Sequence, residues 1–221
     1  MPDTPEDVVD PVPVVVLISG SGSILAALIE ACADPGYGVR VAAVGADRGR
    51  IPGLDRAVAA GIPTFVVRRD DYASREEWDQ GLASALTAHH PASRQEPPDD
   101  GSDMSWVISV GFMKVLGPAV LERFRVLNSH PALLPAFPGA HAVADALAYG
   151  VKVTGATIHL VDAGVDTGPI VAQRAVPVRS DDDEASLHER IKVVERSLMV
   201  HTVRQITTGR YTLTDRKVTF A

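Results

Sequence analysis

The run Val12-Pro13-Val14-Val15-Val16-Leu17-Ile18 is apolar and mostly β-branched, and it stops abruptly at Ser19-Gly20-Ser21-Gly22-Ser23. A strand without polar alternation must be buried on both faces, and such strands belong to parallel sheets covered by helices. The chain then continues in the matching rhythm. Residues 24–32 have helical composition and stop before Asp34-Pro35-Gly36, residues 39–44 read as a strand, 53–60 as a helix and 63–67 as a strand. This order predicts an α/β fold, a mostly parallel twisted sheet with right-handed crossovers and helices on both faces.

Further along, residues 74–88 form an amphipathic helix with Ser74 and Glu77 at capping-box spacing. Residues 90–105 are polar and rich in Pro, Asp and Ser, and are read as a mobile surface loop, because residues 106–110 resume the buried-strand pattern of the same sheet. A short helix is predicted over 118–124 and a strand over 126–128. A helix over 143–149 stops at Gly150, and strands follow over 153–161 and 170–176. A long helix covers 183–205, and short strand-like pieces surround Tyr211 and Val218. With 221 residues and 46% hydrophobic content, residues 12–221 suit one domain behind a flexible leader over 1–11.

The net charge of −7 argues against a general nucleic-acid binder, which needs a concentrated Lys/Arg surface. The leader is acidic and proline-rich, unlike a secretory signal, and no apolar run approaches the ~20 residues of a membrane span. Cys32 is the single cysteine, so no internal disulfide can form, and a cytoplasmic location is expected. It is read as a packed thiol on a helix.

Three places carry chemistry. The Gly20 to Ser23 turn joins a buried strand to a helix start, where free N–H groups and the helix dipole favour an anion such as phosphate. A turn that only packs strand against helix reads the same way. Asn128 and His130, at i and i+2, point to one side of an extended segment and can share a reacting centre, followed by prolines at 131, 135 and 138. A buried pair satisfying loop backbone groups is the alternative. Asp166, in Val165-Asp166-Thr167-Gly168-Pro169, suits either a carboxylate orienting the imidazole or an Asx turn. His159 is read as packed or hydrogen-bonded near the 128–139 segment, the Asp181 to Glu184 run as a solvated helix start, and no His or Cys spacing indicates a metal.

Taken together, these motifs resemble the phosphoribosylglycinamide formyltransferase family, the folate-dependent formyl transferases of purine synthesis. The matching pieces are residues 17–23, Ser74-Arg75-Glu76, Gly111-Phe112-Met113-Lys114-Val115-Leu116, residues 128–139, and Gly155-Ala156-Thr157-Ile158-His159 with Asp166-Thr167-Gly168-Pro169. The resemblance implies a Rossmann-like formyltransferase fold with Asn128, His130 and Asp166 as the catalytic group. It assigns Gly20, Ser21, Gly22, Ser23 and Ile24 to a ribonucleotide phosphate, with Lys192 and Glu195 near the ribose. It assigns Arg75, Met113, Lys114, Val115, Leu116 and Asp162 to 10-formyltetrahydrofolate as co-substrate, without a metal. Arg75 suits a folate glutamate because guanidinium and carboxylate pair through two hydrogen bonds. The chain departs from the family at Ile24, where Asn is usual, at Lys114, where Arg is common, and at Ser129, where Ile or Thr is common.

The resemblance further implies direct attack of the phosphoribosylglycinamide amine on the formyl carbon. The tetrahedral oxyanion is held by Asn128 and protonated His130, and Asp166 keeps the imidazole charged. The formyltetrahydrofolate hydrolase is the nearest alternative, but it normally carries an N-terminal regulatory domain and a second His where Pro131 stands here. Methionyl-tRNA formyltransferase needs a further C-terminal domain and a basic surface. A non-catalytic nucleotide or folate-binding module is the alternative from another class. An exposed apolar helix face would allow a homodimer, though no residue singles one out.

Overall fold

The structure is a computed structural model and describes residues 10–90, 104–209 and 211–220. Residues 1–9 of the expected leader (1–11) and 91–103 of the expected mobile loop (90–105) fall outside the described residues.

Strand β1 (Val12–Ile18) is fully buried from Val14 to Ile18 and lies between two parallel neighbours. On one side the chain proceeds through α1 (Ser23–Ala31), β2 (Val39–Ala46), α2 (Pro52–Ala59) and β3 (Thr64–Val66). It then crosses back through α3 (Arg75–His89) to β4 (Ser105–Ser109), which pairs with the other side of β1. The seven-stranded order is β3-β2-β1-β4-β5-β6-β7, so the direction of winding reverses between β1 and β4. A crevice opens at the carboxyl ends of strands at such a reversal, and ligands bind there in open α/β sheets.

After the short α4 (Pro118–Leu121), β5 (Phe124–His130) extends the parallel part. Helix α5 (Ala142–Tyr149) ends at Gly150, whose φ of 81° is the left-handed stop. Strands β6 (Val153–Leu160) and β7 (Ile170–Pro177) are both antiparallel to their neighbours, as expected for a sheet that is mostly, not wholly, parallel. Helix α6 (Glu184–Thr208) and the two-stranded hairpin β8 (Tyr211–Thr214) and β9 (Lys217–Phe220) complete the order.

Each face of the sheet has its own core. One joins Val14, Val16 and Ile18 to Leu25 and Leu28 of α1, Leu54 of α2, Val143 of α5 and Leu187, Ile191 and Met199 of α6. The other joins Val15, Leu17 and Val107 to Trp78, Leu82 and Leu86 of α3 and Val120 of α4. Alternation along β1 thus feeds both layers.

Four local expectations are corrected. The helix over 118–124 stops at Leu121, because Phe124 is needed in the core and begins β5. Strand β5 also runs on through His130, two residues past the expected strand, still laddered to β6. Ser74 accepts the Glu77 N–H at 3.1 Å, but the Glu77 carboxylate returns to the Ala73 N–H, leaving the capping box half formed. In the acidic run, Asp182 is bound by Arg190, which holds its carboxyl well below the usual range.

Candidate active site

The turn after β1 is shaped by glycine. Gly22 has φ of 67° and caps α1, and a Cβ there would stand 2.9 Å from the Gly53 Cα. Close approach of α2 explains this: the Gly53 N–H donates to the Gly20 carbonyl at 3.1 Å, and Arg56 Nε donates to the Ser21 carbonyl at 3.1 Å. The first intrahelical bond runs from Ala26 N–H to Gly22 O, so the N–H groups of the first turn have no intrahelical acceptor.

Beneath the turn, Ser19 Oγ accepts the Met113 N–H at 2.9 Å and also bonds Asp47. Burial raises the Asp47 pKa, but hydrogen bonds from Arg48 and Ser19 and the charge of Lys114 outweigh it and keep the carboxylate ionised.

Asn128 and His159 are directly paired across β5 and β6, so their side chains share a face with His130. The loop between β6 and β7 folds back onto that face and delivers Asp166, itself at φ of 54°. Its Oδ2 lies 3.2 Å from His130 Nδ1 and accepts the Gly139 N–H at 2.8 Å, while Oδ1 lies 3.5 Å from His159 Nε2. His159, hydrogen bonds and His130 together hold Asp166 below the usual carboxylate range against its partial burial.

His130 Nε2 lies 2.8 Å from the Phe137 carbonyl, so that nitrogen carries a proton. Its Nδ1 faces Asp166, and a second proton would satisfy both contacts at once. Burial nevertheless pulls the His130 pKa below the ordinary imidazole value, outweighing Asp166 and the carbonyl, with the His159 charge adding to the fall. Burial thus favours the neutral imidazole, while Asp166 and the Phe137 carbonyl favour the charged one. His159 Nδ1 donates to the Leu160 carbonyl at 2.9 Å, and its Nε2 meets the Asn128 carboxamide at 3.1 Å. The Asn128 carboxamide is therefore partnered by His159 and must be released before it can meet a substrate oxygen.

A cavity of about 540 Å³ brings most of the expected residues together. Its wall includes residues 20–24, Met113 to Leu116, Asn128, His130 and Asp166, with Lys192 and Glu195 from α6. Glu195 is almost fully buried and accepts the Ser129 hydroxyl at 2.5 Å; burial raises its pKa and this bond opposes the rise. Lys192 pairs with Glu189 at 2.7 Å. Two expected residues stand outside the wall. Arg75 donates to the Val115 carbonyl at 3.3 Å, and Asp162 accepts the Gly164 N–H and the Thr167 hydroxyl, shaping the loop that carries Asp166.

His159 is buried and hydrogen-bonded, as expected, and it also lines the cavity, as does His188 one turn before Lys192. Alternation along residues 153–161 held the signal for the first, and the i, i+4, i+7 spacing of His188, Lys192 and Glu195 held it for the second. Among the described residues, no group of three or more His, Cys, Asp or Glu is placed to hold a metal, and no helix is long and apolar enough to cross a membrane.

The family model for formyl transferases matches residues 12–203. The chain belongs to the formyl transferase family. It is 52% identical to a phosphoribosylglycinamide formyltransferase of Mycobacterium tuberculosis, over 95% of this chain and 91% of that one. It is 36% identical to the human trifunctional purine biosynthetic protein adenosine-3, covering 89% of this chain but 18% of that protein. Among solved structures, glycinamide ribonucleotide transformylase 1 of Symbiobacterium toebii superposes with a TM-score of 0.85 at 39% identity, covering 95% and 94% of the two chains.

Proposed function

We propose that this chain transfers the formyl group of 10-formyltetrahydrofolate to the amine of phosphoribosylglycinamide in purine biosynthesis, as one formyltransferase domain over residues 12–221 in the cytoplasm. The observation that carries this reading is that one cavity is lined both by residues 20–24 and by Asn128, His130 and Asp166. An anion-binding turn beside an amide, an imidazole and a carboxylate suits a phosphorylated amine acceptor. Met113 and Val115 expose apolar surface at the cavity, with Lys114 and Arg75 close by, and this combination fits a flat heterocycle ending in carboxylates.

In the proposed reaction the first turn of α1 binds the phosphate, and Glu195, steadied by Ser129, accepts hydrogen bonds from ribose hydroxyls. The acceptor is an α-amino type group with a reference pKa of about 7.7–8.0, so a neutral fraction is ready to attack near pH 7. Its nitrogen adds to the formyl carbon, and the carbonyl π electrons move to oxygen. The Asn128 N–H, released from His159, donates to that oxyanion. His130 takes the proton lost by the attacking nitrogen, and Asp166 stabilises the imidazolium so formed. The electron pair of the oxyanion then re-forms the carbonyl, the bond to the folate nitrogen breaks, and that nitrogen receives the proton. No enzyme-bound acyl group is needed.

Incubation with both substrates, followed by absorbance of the released tetrahydrofolate product, tests the reading. Product release that requires the ribonucleotide supports transfer. Equal release without it indicates the hydrolase, and none at all indicates a binding module. His130→Ala is expected to lower turnover about 10²-fold or more while ribonucleotide affinity by calorimetry changes little. Near-normal turnover in that variant would sink the assignment.

A further inference from the structure

The loop that carries Asp166 is held from two directions. On the inside, Asp162 accepts the Gly164 N–H at 3.1 Å and the Thr167 hydroxyl at 2.6 Å, and the Gly139 N–H fixes the Asp166 carboxylate. On the outside, Arg216 reaches from the turn of the β8–β9 hairpin, where its Nη2 donates to the Thr167 carbonyl at 2.6 Å and the Gly168 carbonyl at 3.3 Å. These carbonyls belong to the two residues immediately after Asp166. The hairpin lies beyond residues 12–203, the extent of the family match.

The hairpin itself is anchored. Tyr211 packs on Trp106 with ring centroids 6.0 Å apart and lies beneath the Arg125 guanidinium at 5.7 Å. Tyr211, Val218 and Phe220 pack on the core shared with α6. Its turn is tight: Thr214 pairs with Lys217, and Asp215 has φ of 54°. Arg216 is therefore presented from a fixed platform and does not depend on a loose tail.

Asp166 has little freedom to spare. Its backbone is left-handed, a conformation that is strained for a non-glycine residue and persists only when the surroundings enforce it. Gly168 cannot gain a side chain, since a Cβ would overlap the Leu160 carbonyl, so the exit from the loop is equally constrained. A charged donor on consecutive carbonyls is a strong way of enforcing such a turn.

We propose that Arg216 is a positioning residue for the formyl transfer, which clamps the 161–169 loop from the C-terminal hairpin and sets the register of Asp166 against His130. The proposal rests on the reading of Asp166 and His130 given above. It acts through geometry: a displacement of about 1 Å at a reacting group costs up to 10²-fold in rate. It also acts through charge, because Asp166 and Phe137 raise the affinity of His130 for a proton while burial and His159 lower it.

The test compares Arg216→Ala, Arg216→Lys and Lys217→Ala in the full chain, with Asp166→Asn beside them. Arg216→Ala is expected to lower kcat about 10-fold or more, to leave KM for the ribonucleotide within about twofold, and to shift the His130 ring titration, followed by NMR, to lower pH. Arg216→Lys should recover part of the kcat, because an ammonium can still reach one carbonyl. Lys217→Ala, which alters the same hairpin without touching the loop contacts, should match the parent. An unchanged kcat and titration in Arg216→Ala, or an equal loss in Lys217→Ala, overturns the proposal. If Asp166→Asn is inactive while Arg216→Ala is normal, only the clamp fails. If Asp166→Asn is active, the assignment of Asp166 fails first.

Discussion

His130 is placed between two acceptors, the Asp166 carboxylate and the Phe137 carbonyl, yet burial keeps its pKa below the ordinary imidazole value. These opposing effects suit a proton carrier, which must be free of charge before the step and tolerate charge during it. The sign of the pH dependence follows. The folded value lies below the unfolded value of about 6.5, so the unfolded chain binds this proton more tightly. The stability contribution is then complete above pH ~6.5 and is lost as pH falls through the folded value. Asp166 is also lowered, but from the carboxylate range, so its contribution disappears only at still lower pH. His90 and His188 share the direction of His130, and the difference between parent and His130→Gln isolates the one of interest. Denaturation at pH 7 and pH 5.5 should show a smaller loss in His130→Gln, and an equal loss would contradict a buried neutral imidazole. Asp166→Asn, which removes the charge that favours protonation, should move the His130 NMR midpoint to lower pH.

Among the elements, α3 does more than cover the sheet. Trp78, Leu82 and Leu86 fill the core, while the buried Asp79 turns toward α4 and accepts the Gly117 and Ala119 N–H groups at 2.7 and 2.8 Å. A carboxylate from one helix thereby caps another, and it fixes the far end of the Met113 to Leu116 segment. Arg75 on Val115 and the stacking of Trp78 with Phe112 hold the same segment. Asp79→Ala leaves two N–H groups without their acceptor and is expected to cost about 2–3 kcal/mol by urea denaturation. It should also raise KM for the folate more than KM for the ribonucleotide; an equal rise in both would mean that the segment serves neither substrate in particular. Nothing in the sequence marks Asp79, since a lone Asp in an amphipathic helix reads as a solvent residue. The strands and helices were legible because β-branched runs and 3.6-residue periodicity are local signals. The contacts of Asp79, Arg216 and the Phe137 carbonyl depend on how distant loops fold back, and no local spacing encodes that.

For the whole molecule, the mixed sheet decides where the cavity lies. The parallel half supplies the switch point at β1 and β4, and the antiparallel extension through β6 and β7 lets a loop return with Asp166 to the face bearing Asn128 and His130. Helix α6 joins the halves, packing on β1-side core residues while lending Lys192 and Glu195 to the cavity. The alternation of strands and helices made the first half readable, whereas the return of the Asp166 loop rests on the β5–β6 register, which puts His159 opposite Asn128. A ribonucleotide bound as proposed touches residues 20–24, β5 and α6 together, and so stabilises the whole sheet instead of one loop. At a hundredfold excess over Kd, the added stability is about 2.7 kcal/mol, a rise in Tm of about 5 °C or more for a chain of this size. Gly22→Val forces a side chain into a left-handed turn against Gly53 and should lower Tm without ligand. It should also lose most of the ligand-induced rise, because the first-turn N–H groups no longer meet the phosphate. Loss of the rise with folate binding intact supports the placement of the phosphate at residues 20–24, and a full rise in Gly22→Val moves it elsewhere in the cavity.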